Sequence, residues 1–167
     1  MNCSECGVQI KVTSKKRDLF VQDSCAFCSE KCLRRHIEAL EPVEKDFLEE
    51  IGIRDSLQSW GNRDCYSRFL GVSFRSWFEC DVAEFLVRNW KTQIFYEAHI
   101  LPVSNDHFYI PDFWLPSYGV WLEVKGEWRF GAKTKFSKAQ EILGKDRLIL
   151  VPDSYKSWFK RGKKIWW

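Results

Sequence analysis

The sequence predicts an α/β fold preceded by a small cysteine-rich module. Five of the seven cysteines fall within the first 36 residues. Apolar residues then recur at helical spacing, and beyond residue 71 short runs of β-branched and aromatic side chains alternate with helical segments. We therefore divide the chain into a module (1–36), a helical linker (37–70) and an α/β domain with a basic C-terminal tail (71–167).

The cysteines of the module have the spacing of metal ligands. Two C-x-x-C-like pairs separated by a polar loop favour a structural Zn²⁺ held by four thiolates in tetrahedral geometry. The preferred ligands are Cys3, Cys6, Cys28 and Cys32. Cys25 makes a rival pair with Cys28, and His36 is a weaker substitute, so the fourth ligand stays open.

No segment of the sequence has the pattern of a membrane span or a secretory signal. No apolar run approaches the ~20 residues that a membrane helix needs, and the N-terminus lacks the basic start and apolar stretch of a signal peptide. We expect a cytoplasmic protein with no membrane partner. In that reducing compartment, clustered cysteines bind metal more often than they form disulfides.

The linker is predicted to contain an acidic amphipathic helix. Phe47, Leu48 and Ile51 share one face, and Pro42 fits the first turn of this helix. Residues 37–60 carry seven Asp/Glu against two Lys/Arg, so the exposed face should point away from nucleic acid.

The predicted elements of the α/β domain follow the order helix, three strands, helix, strand. Aromatic and β-branched content favours the strands, and the last is apolar enough to be buried on both faces. A turn at 116–119 separates the second strand from the third, and Gly144 ends the second helix. The predicted bounds are 77–90, 94–102, 108–115, 120–126, 135–143 and 147–151.

Two carboxylates and a lysine form the constellation with the clearest chemistry. Glu123 and Lys125 should point to the same face of their strand, and the turn at 116–119 brings Asp112 toward them. Paired carboxylates suit a hard cation such as Mg²⁺, and a neighbouring lysine can stabilise charge on a phosphate. The alternative is a surface hairpin with a Glu–Lys pair.

A further acid lies upstream on the first helix of the domain. Glu79 precedes Ala83 by four residues and Leu86 by seven, which places it on the core-facing side of the helix. A buried acid is costly unless it is paired, protonated or bound to a cation. Capping explains Glu79 less well, because it is expected to follow the first turn.

Three segments, residues 74–86, 109–116 and 121–126, together resemble the PD-(D/E)XK nuclease superfamily, in particular small homing-type endonucleases of phages and mobile elements. The resemblance covers about residues 73–151. It implies a restriction-endonuclease-like core, in which helices flank a mixed sheet, and a DNA endonuclease that leaves 5′-phosphate and 3′-hydroxyl ends. The implied ligands of Mg²⁺ or Mn²⁺ are Asp112 and Glu123. Lys125 would position the attacking water, Glu79 would match the acid on the family's helix, and Gln140 or else Lys138 would match a further polar residue.

The basic C-terminal quarter could lie along a phosphate backbone, or it could equally be a solvated tail that keeps the protein soluble. Residues 127–167 carry eleven Lys/Arg and four Asp/Glu, interleaved with aromatic side chains. We expect double-stranded DNA, with a homodimer if both strands are cut, and association with the nucleoid of a bacterial host if the protein is phage-encoded. The expected contacts are Lys15, Lys16, Arg17, Arg34, Arg35, Lys133, Lys135, Lys138, Lys160, Arg161, Lys163 and Lys164. Two other functions stay open: a non-catalytic or partner-dependent DNA-binding subunit of a recombination or transposition complex, and an RNA-processing factor.

Overall fold

The computed structural model describes residues 1–11, 25–56 and 63–159. The helices of this part are α1 (Glu30–Glu38), α2 (Lys45–Glu50), α3 (Trp77–Phe85), which continues as a π-helical turn (Leu86–Trp90), and α4 (Ala132–Leu143). The strands are β1 (Arg54–Asp55), β2 (Cys65–Ser67), β3 (Val72–Phe74), β4 (Phe95–Tyr96), β5 (His99–Ser104), β6 (His107–Tyr109), β7 (Phe113–Leu115), β8 (Val120–Lys125) and β9 (Leu148–Pro152). None of the described helices has the length and apolar content that crossing a bilayer requires.

The central sheet has four strands in the order β4-β7-β8-β9. β7 runs antiparallel to both β4 and β8, whereas β9 runs parallel to β8. Strands β1, β5 and β6 form a second sheet, and β2 pairs with β3. The predicted mixed α/β architecture is confirmed at this level.

The central sheet separates two apolar clusters. Val120, Leu122 and Val124 on one face of β8 pack in a cluster with α3. Trp121, on the other face of β8, packs in a cluster with α4. This burial on both faces is the pattern of an internal strand beside a parallel neighbour.

The cysteine-rich module contributes to the core of the α/β domain. Phe27, Leu33 and Ile37 are fully buried and belong to the same cluster as the α3 face of β8. The Tyr155 hydroxyl also accepts a 2.6 Å hydrogen bond from the backbone N–H of Phe27. Apolar burial therefore joins the module to the sheet, and the division into three segments stays a prediction about the sequence.

Two of the predicted strands are each divided between two sheets. The run at 94–102 breaks at Glu97, whose φ of 48° is left-handed, so β4 and β5 enter different sheets. The run at 108–115 breaks over residues 110–112, between β6 and β7. The prediction of one continuous strand for each run is therefore wrong.

The helices differ from expectation at their ends. α2 begins at Lys45 with Glu44 as its N-cap, so the prediction that Pro42 lies in its first turn is wrong. The helix from Trp77 widens into a π-helical turn at Leu86. α4 begins at Ala132, three residues before the predicted start.

Gly119, the glycine of the turn between β7 and β8, should be harder to replace than a glycine in open space. Its φ is +61°, and a Cβ would lie 2.6 Å from the backbone nitrogen of Val43. Gly71 is a matched control because its φ is +68° and a Cβ there meets nothing within 4 Å. Left-handed strain should cost Gly71→Ala about 1 kcal/mol of unfolding free energy. Gly119→Ala should cost about 2 kcal/mol more, through overpacking. Urea unfolding measures both, and equal losses would contradict the clash.

His99 should make stability depend on pH. Its Nδ1 accepts a 2.9 Å hydrogen bond from Trp121 Nε1, which requires an unprotonated nitrogen. Burial lowers the pKa of His99, and Asp55 offsets this only partly. The unfolded chain therefore takes up the proton first, so this stability is fully present above the ordinary histidine pKa and is lost as pH falls from there through the lowered pKa of the folded state.

Urea unfolding at about pH 7 and about pH 5 tests this expectation. The wild type should lose up to about 1.4 kcal/mol per pH unit more than His99→Asn. His107, exposed on β6, supplies the control His107→Asn, which should behave as wild type. A loss in His99→Asn equal to that of the wild type would show that another group titrates.

Candidate functional site

Strand pairing places Asp112 beside Glu123. β7 and β8 pair Phe113 with Leu122, and Asp112 immediately precedes β7 while Glu123 immediately follows Leu122. Both acids are buried, and the charge of Glu123 acts on Asp112. Asp112 is held there by a 2.7 Å hydrogen bond that its Oδ2 accepts from the backbone N–H of Val124. The structure therefore brings together the two carboxylates that the sequence singled out.

Lys125 lies two residues along β8 from Glu123, on the same face. Its Nζ forms an ion pair with Glu123 Oε1 and lies 5.5 Å from the centre of the Trp128 ring. Burial lowers the pKa of Lys125, but the charges of Glu123 and Asp112 outweigh it and the net shift is upward. Lys125 is therefore a cation, able to donate hydrogen bonds and unsuited to act as a base.

Asp112 and Glu123 are both buried, and neighbouring groups do not fully offset their negative charge. Burial, followed by the charges of Glu123 and Glu79, raises the pKa of Asp112 well above its ordinary value. Glu123 Oε2 is buried and receives no hydrogen bond from the described residues. The Tyr109 hydroxyl is buried beside Glu123, and burial, the Glu123 charge and the polar contact with Glu123 raise its pKa. An oxygen in this state can accept a proton or a cation.

Glu79 is buried as predicted, but it is also part of a helix cap. Ser76 is the N-cap of α3, and its Oγ accepts from the backbone N–H of Glu79 (3.1 Å) while donating to Glu79 Oε1 (2.7 Å). Glu79 lies in the first turn, so the expectation that capping explains it poorly is wrong. The Tyr96 hydroxyl donates a 2.5 Å hydrogen bond to Glu79 Oε2. Burial and this bond raise the pKa of Tyr96, which keeps the phenol protonated.

Two arginines near the carboxylates were missed by sequence reasoning. Arg63 and Arg75 both form ion pairs with the buried Glu97. The backbone N–H of Glu97 donates a 2.8 Å hydrogen bond to the carbonyl of Asp112, and Arg63 lies 4.8 Å from the centre of the Tyr96 ring. No local pattern links Arg63 to Glu97, which is 34 residues away. Glu97 also has a left-handed backbone, which the sequence pattern did not predict.

The remaining predicted site residues have less direct positions. Gln140 is buried and its amide donates a 2.8 Å hydrogen bond to the carbonyl of Leu148. Leu148 pairs with Trp121, two positions before Glu123, so this bond lies about 7 Å along the strand from the carboxylates. Lys138 is exposed on α4.

The predicted DNA contacts are only partly described. Arg34 forms an ion pair with Glu38 and lies 5.9 Å from the centre of the Trp90 ring. Arg35 and Lys133 are exposed, and Lys135 is half-buried. The others, Lys15, Lys16, Arg17, Lys160, Arg161, Lys163 and Lys164, lie outside the described residues.

The four preferred cysteines lie together. The ligand atoms of Cys3, Cys6, Cys28 and Cys32 are all within 4.8 Å of one another. The Sγ atoms of Cys6 and Cys28 are 3.5 Å apart, and those of Cys28 and Cys32 are 3.6 Å apart. A zinc tetrahedron with bonds of about 2.3 Å has edges of about 3.8 Å. The set could therefore bind a metal such as zinc.

Local backbone structure prepares these thiols for a cation. Ser29 is the N-cap of α1 and accepts from the backbone N–H of Cys32, which sets Cys32 in the first helical turn. Burial raises the pKa of Cys3, but backbone hydrogen bonds from Cys6, Cys28 and Glu5 outweigh it and lower the pKa to about 6. Four adjacent thiolates repel one another, so a bound cation is what allows all of them to ionise.

Cys25 and His36, the alternative ligands, belong to a different set. Their ligand atoms and that of Asp146 lie within 4.8 Å of one another. Among the described residues, only this set and the four cysteines bring three or more ligands so close. The oxygens of Glu79, Asp112 and Glu123 are therefore not all within 4.8 Å of one another.

No protein-family model, curated protein or solved structure matches this chain. The function must therefore be argued from the site itself.

Removing one cysteine ligand should release metal and destabilise the fold. Cys32→Ser should bind one zinc fewer per chain than the wild type and lose several kcal/mol of unfolding free energy, because its site is part of the core. Plasma mass spectrometry and urea unfolding measure the two effects. Cys65→Ser, at a buried cysteine on β2, is the control and should retain all the zinc. Full zinc retention by Cys32→Ser would overturn the four-cysteine assignment.

Proposed function

We propose that this protein is a DNA endonuclease of the PD-(D/E)XK type that uses Mg²⁺ or Mn²⁺ to hydrolyse phosphodiester bonds to 5′-phosphate and 3′-hydroxyl ends. The observation that carries the proposal is the hydrogen bond from the backbone N–H of Val124 to Asp112 Oδ2, which holds this carboxylate beside Glu123, with Lys125 on the same face of β8 as Glu123. A mixed sheet with helices packed on both faces is compatible with the restriction-endonuclease-like core that the motifs resemble.

The two carboxylates fit a hard divalent cation. Mg²⁺ is held in proteins by one or two carboxylates, completed by water and substrate phosphate oxygens. Glu123 Oε2 is buried without a hydrogen bond from the described residues, so this oxygen is available as a metal ligand. Burial, and then the charges of Glu123 and Glu79, raise the pKa of Asp112, and a bound cation would offset both effects. When bound, the metal would lower the pKa of water and neutralise charge that develops on the phosphate.

The protein side chains would supply orientation and charge. Lys125, held by Glu123, donates a hydrogen bond to the attacking water and stabilises charge on the phosphate. Glu79 is fixed by Ser76 and Tyr96, which would let its carboxylate orient the same water from α3. Water attacks phosphorus, the bond to the 3′-oxygen breaks, and the leaving oxygen takes up a proton.

Cationic and aromatic groups around the carboxylates suit a nucleic-acid backbone. Arg63 and Arg75 are gathered by Glu97 at the backbone of Asp112, and guanidinium groups bind phosphate well. Trp77 at the start of α3 is 54% exposed, and Phe130 in the loop after β8 is fully exposed. Exposed rings beside a basic surface can stack on bases.

Cleavage of supercoiled plasmid and long phage DNA tests the proposal. The wild type should nick or linearise DNA with Mg²⁺ or Mn²⁺, and EDTA should stop the reaction. Lys125→Met and Asp112→Asn should each lower the rate by about 100-fold or more. Lys45→Met is the matched control, since Lys45 also pairs with a glutamate but lies on the exposed surface of α2, and it should cut as wild type.

Binding measured on the same DNA separates the alternatives. If wild type and Lys125→Met both leave DNA intact with either metal yet retard it equally in a gel, the protein is a DNA-binding subunit without catalysis. If only RNA is cut, the RNA-processing function replaces the DNA endonuclease. Discrete DNA fragments would add that a specific sequence is recognised.

A further inference from the structure

We propose that Cys25, His36 and Asp146 form a second metal site, selective for Zn²⁺ and separate from the four cysteines. The three residues come from three places in the chain: the loop before α1, the last turn of α1, and the turn between α4 and β9. Their ligand atoms lie within 4.8 Å of one another. The site does not depend on the nuclease proposal.

The distances around one oxygen match a zinc tetrahedron. Asp146 Oδ1 lies 3.3 Å from Cys25 Sγ and 3.5 Å from His36 Nε2. Zinc bonds of about 2.3 Å to sulfur and about 2.0 Å to nitrogen and oxygen give tetrahedral edges of about 3.5 Å for sulfur to oxygen and about 3.3 Å for nitrogen to oxygen. The observed distances differ from these edges by only a few tenths of an ångström, so a cation fits with little movement.

The imidazole is poised as a ligand. His36 Nε2 is buried and makes no hydrogen bond to the described residues, although Asp146 is close by. The ring is held by Phe27, whose centroid lies 5.1 Å away. A buried nitrogen that faces a carboxylate and a thiol, without a hydrogen bond of its own, is satisfied by a metal.

The exposure of the ligands indicates an open fourth position. The Asp146 side chain is 63% exposed, whereas that of His36 is 15% exposed. The cation would therefore lie at the surface, with protein on one side and solvent on the other. One thiolate, one imidazole and one carboxylate suit Zn²⁺ better than Mg²⁺, which binds oxygen ligands, and water can complete the tetrahedron.

This second site would tie α1 to the turn before β9. The same turn is already fixed by Arg147, whose Nη1 donates 3.0 Å hydrogen bonds to the carbonyls of Glu41 and Gly119. β9 follows directly and pairs in parallel with β8, which carries Glu123 and Lys125. Zinc at this position would therefore join the cysteine-rich module to the turn before β9 through metal–ligand bonds. This link would add to the core that the module and the central sheet share.

Metal stoichiometry tests the proposal on the full-length protein. After equilibration with excess Zn²⁺ and removal of free metal, the wild type should contain two zinc ions per chain by plasma mass spectrometry. Asp146→Asn and His36→Gln should contain one. The matched control is Asp153→Asn, an acid beyond the other end of β9 that pairs with Lys156, and it should contain two.

Cobalt substitution separates loss of the site from loss of folding. In the wild type, the second equivalent of Co²⁺ should add a weaker thiolate-to-cobalt band than the first, since it contacts one sulfur instead of four. Asp146→Asn should keep the first band and lose the increment, because Asp146 is too exposed for its replacement to unfold the chain. One zinc in the wild type at saturation, or an unchanged second band in Asp146→Asn, would overturn the proposal.

Discussion

The burial of β8 on both faces is the constraint on which the rest of the structure depends. Its six residues include four apolar side chains that fill two clusters, so the strand cannot shift in register without exposing them. Glu123 is carried into the interior by this apolar pattern, at 2% exposure. Asp112 follows from the pairing with β7. The acids are thus buried because the strand is buried, and the protein bears the cost of two nearby charges.

Specific neighbouring groups offset part of the electrostatic free energy of burying Asp112 and Glu123. Lys125 pairs with one oxygen of Glu123, and the backbone N–H of Val124 binds one oxygen of Asp112. These contacts leave Glu123 Oε2 without a hydrogen bond from the described residues. Glu123 is thus an ion-paired buried acid with one oxygen left over, and buried acids with perturbed surroundings occur most often at functional sites.

The parts of the structure that depend on local pattern were predictable from sequence. Alternation along β8 predicted that Glu123 and Lys125 share a face, and cysteine spacing predicted the four clustered thiols. The parts that depend on tertiary contacts were not. The break at Glu97 arises where arginines distant in sequence gather on one carboxylate, and Asp146 reaches Cys25 across 121 residues. Hydrophobic periodicity and residue spacing carry no information about contacts between residues so far apart in the chain.

The cysteine-rich module packs behind the strand that carries Glu123. Leu33 and Ile37 of α1 are fully buried in the cluster that supports Leu122 and Val124 of β8. The four cysteines fix the start of α1, and the set of Cys25, His36 and Asp146 lies at its end. A helix held at both ends by bound metal would form a rigid support behind the strand. Because the packed interior transmits small displacements, metal binding in the module should influence the geometry of Glu123 on the opposite face.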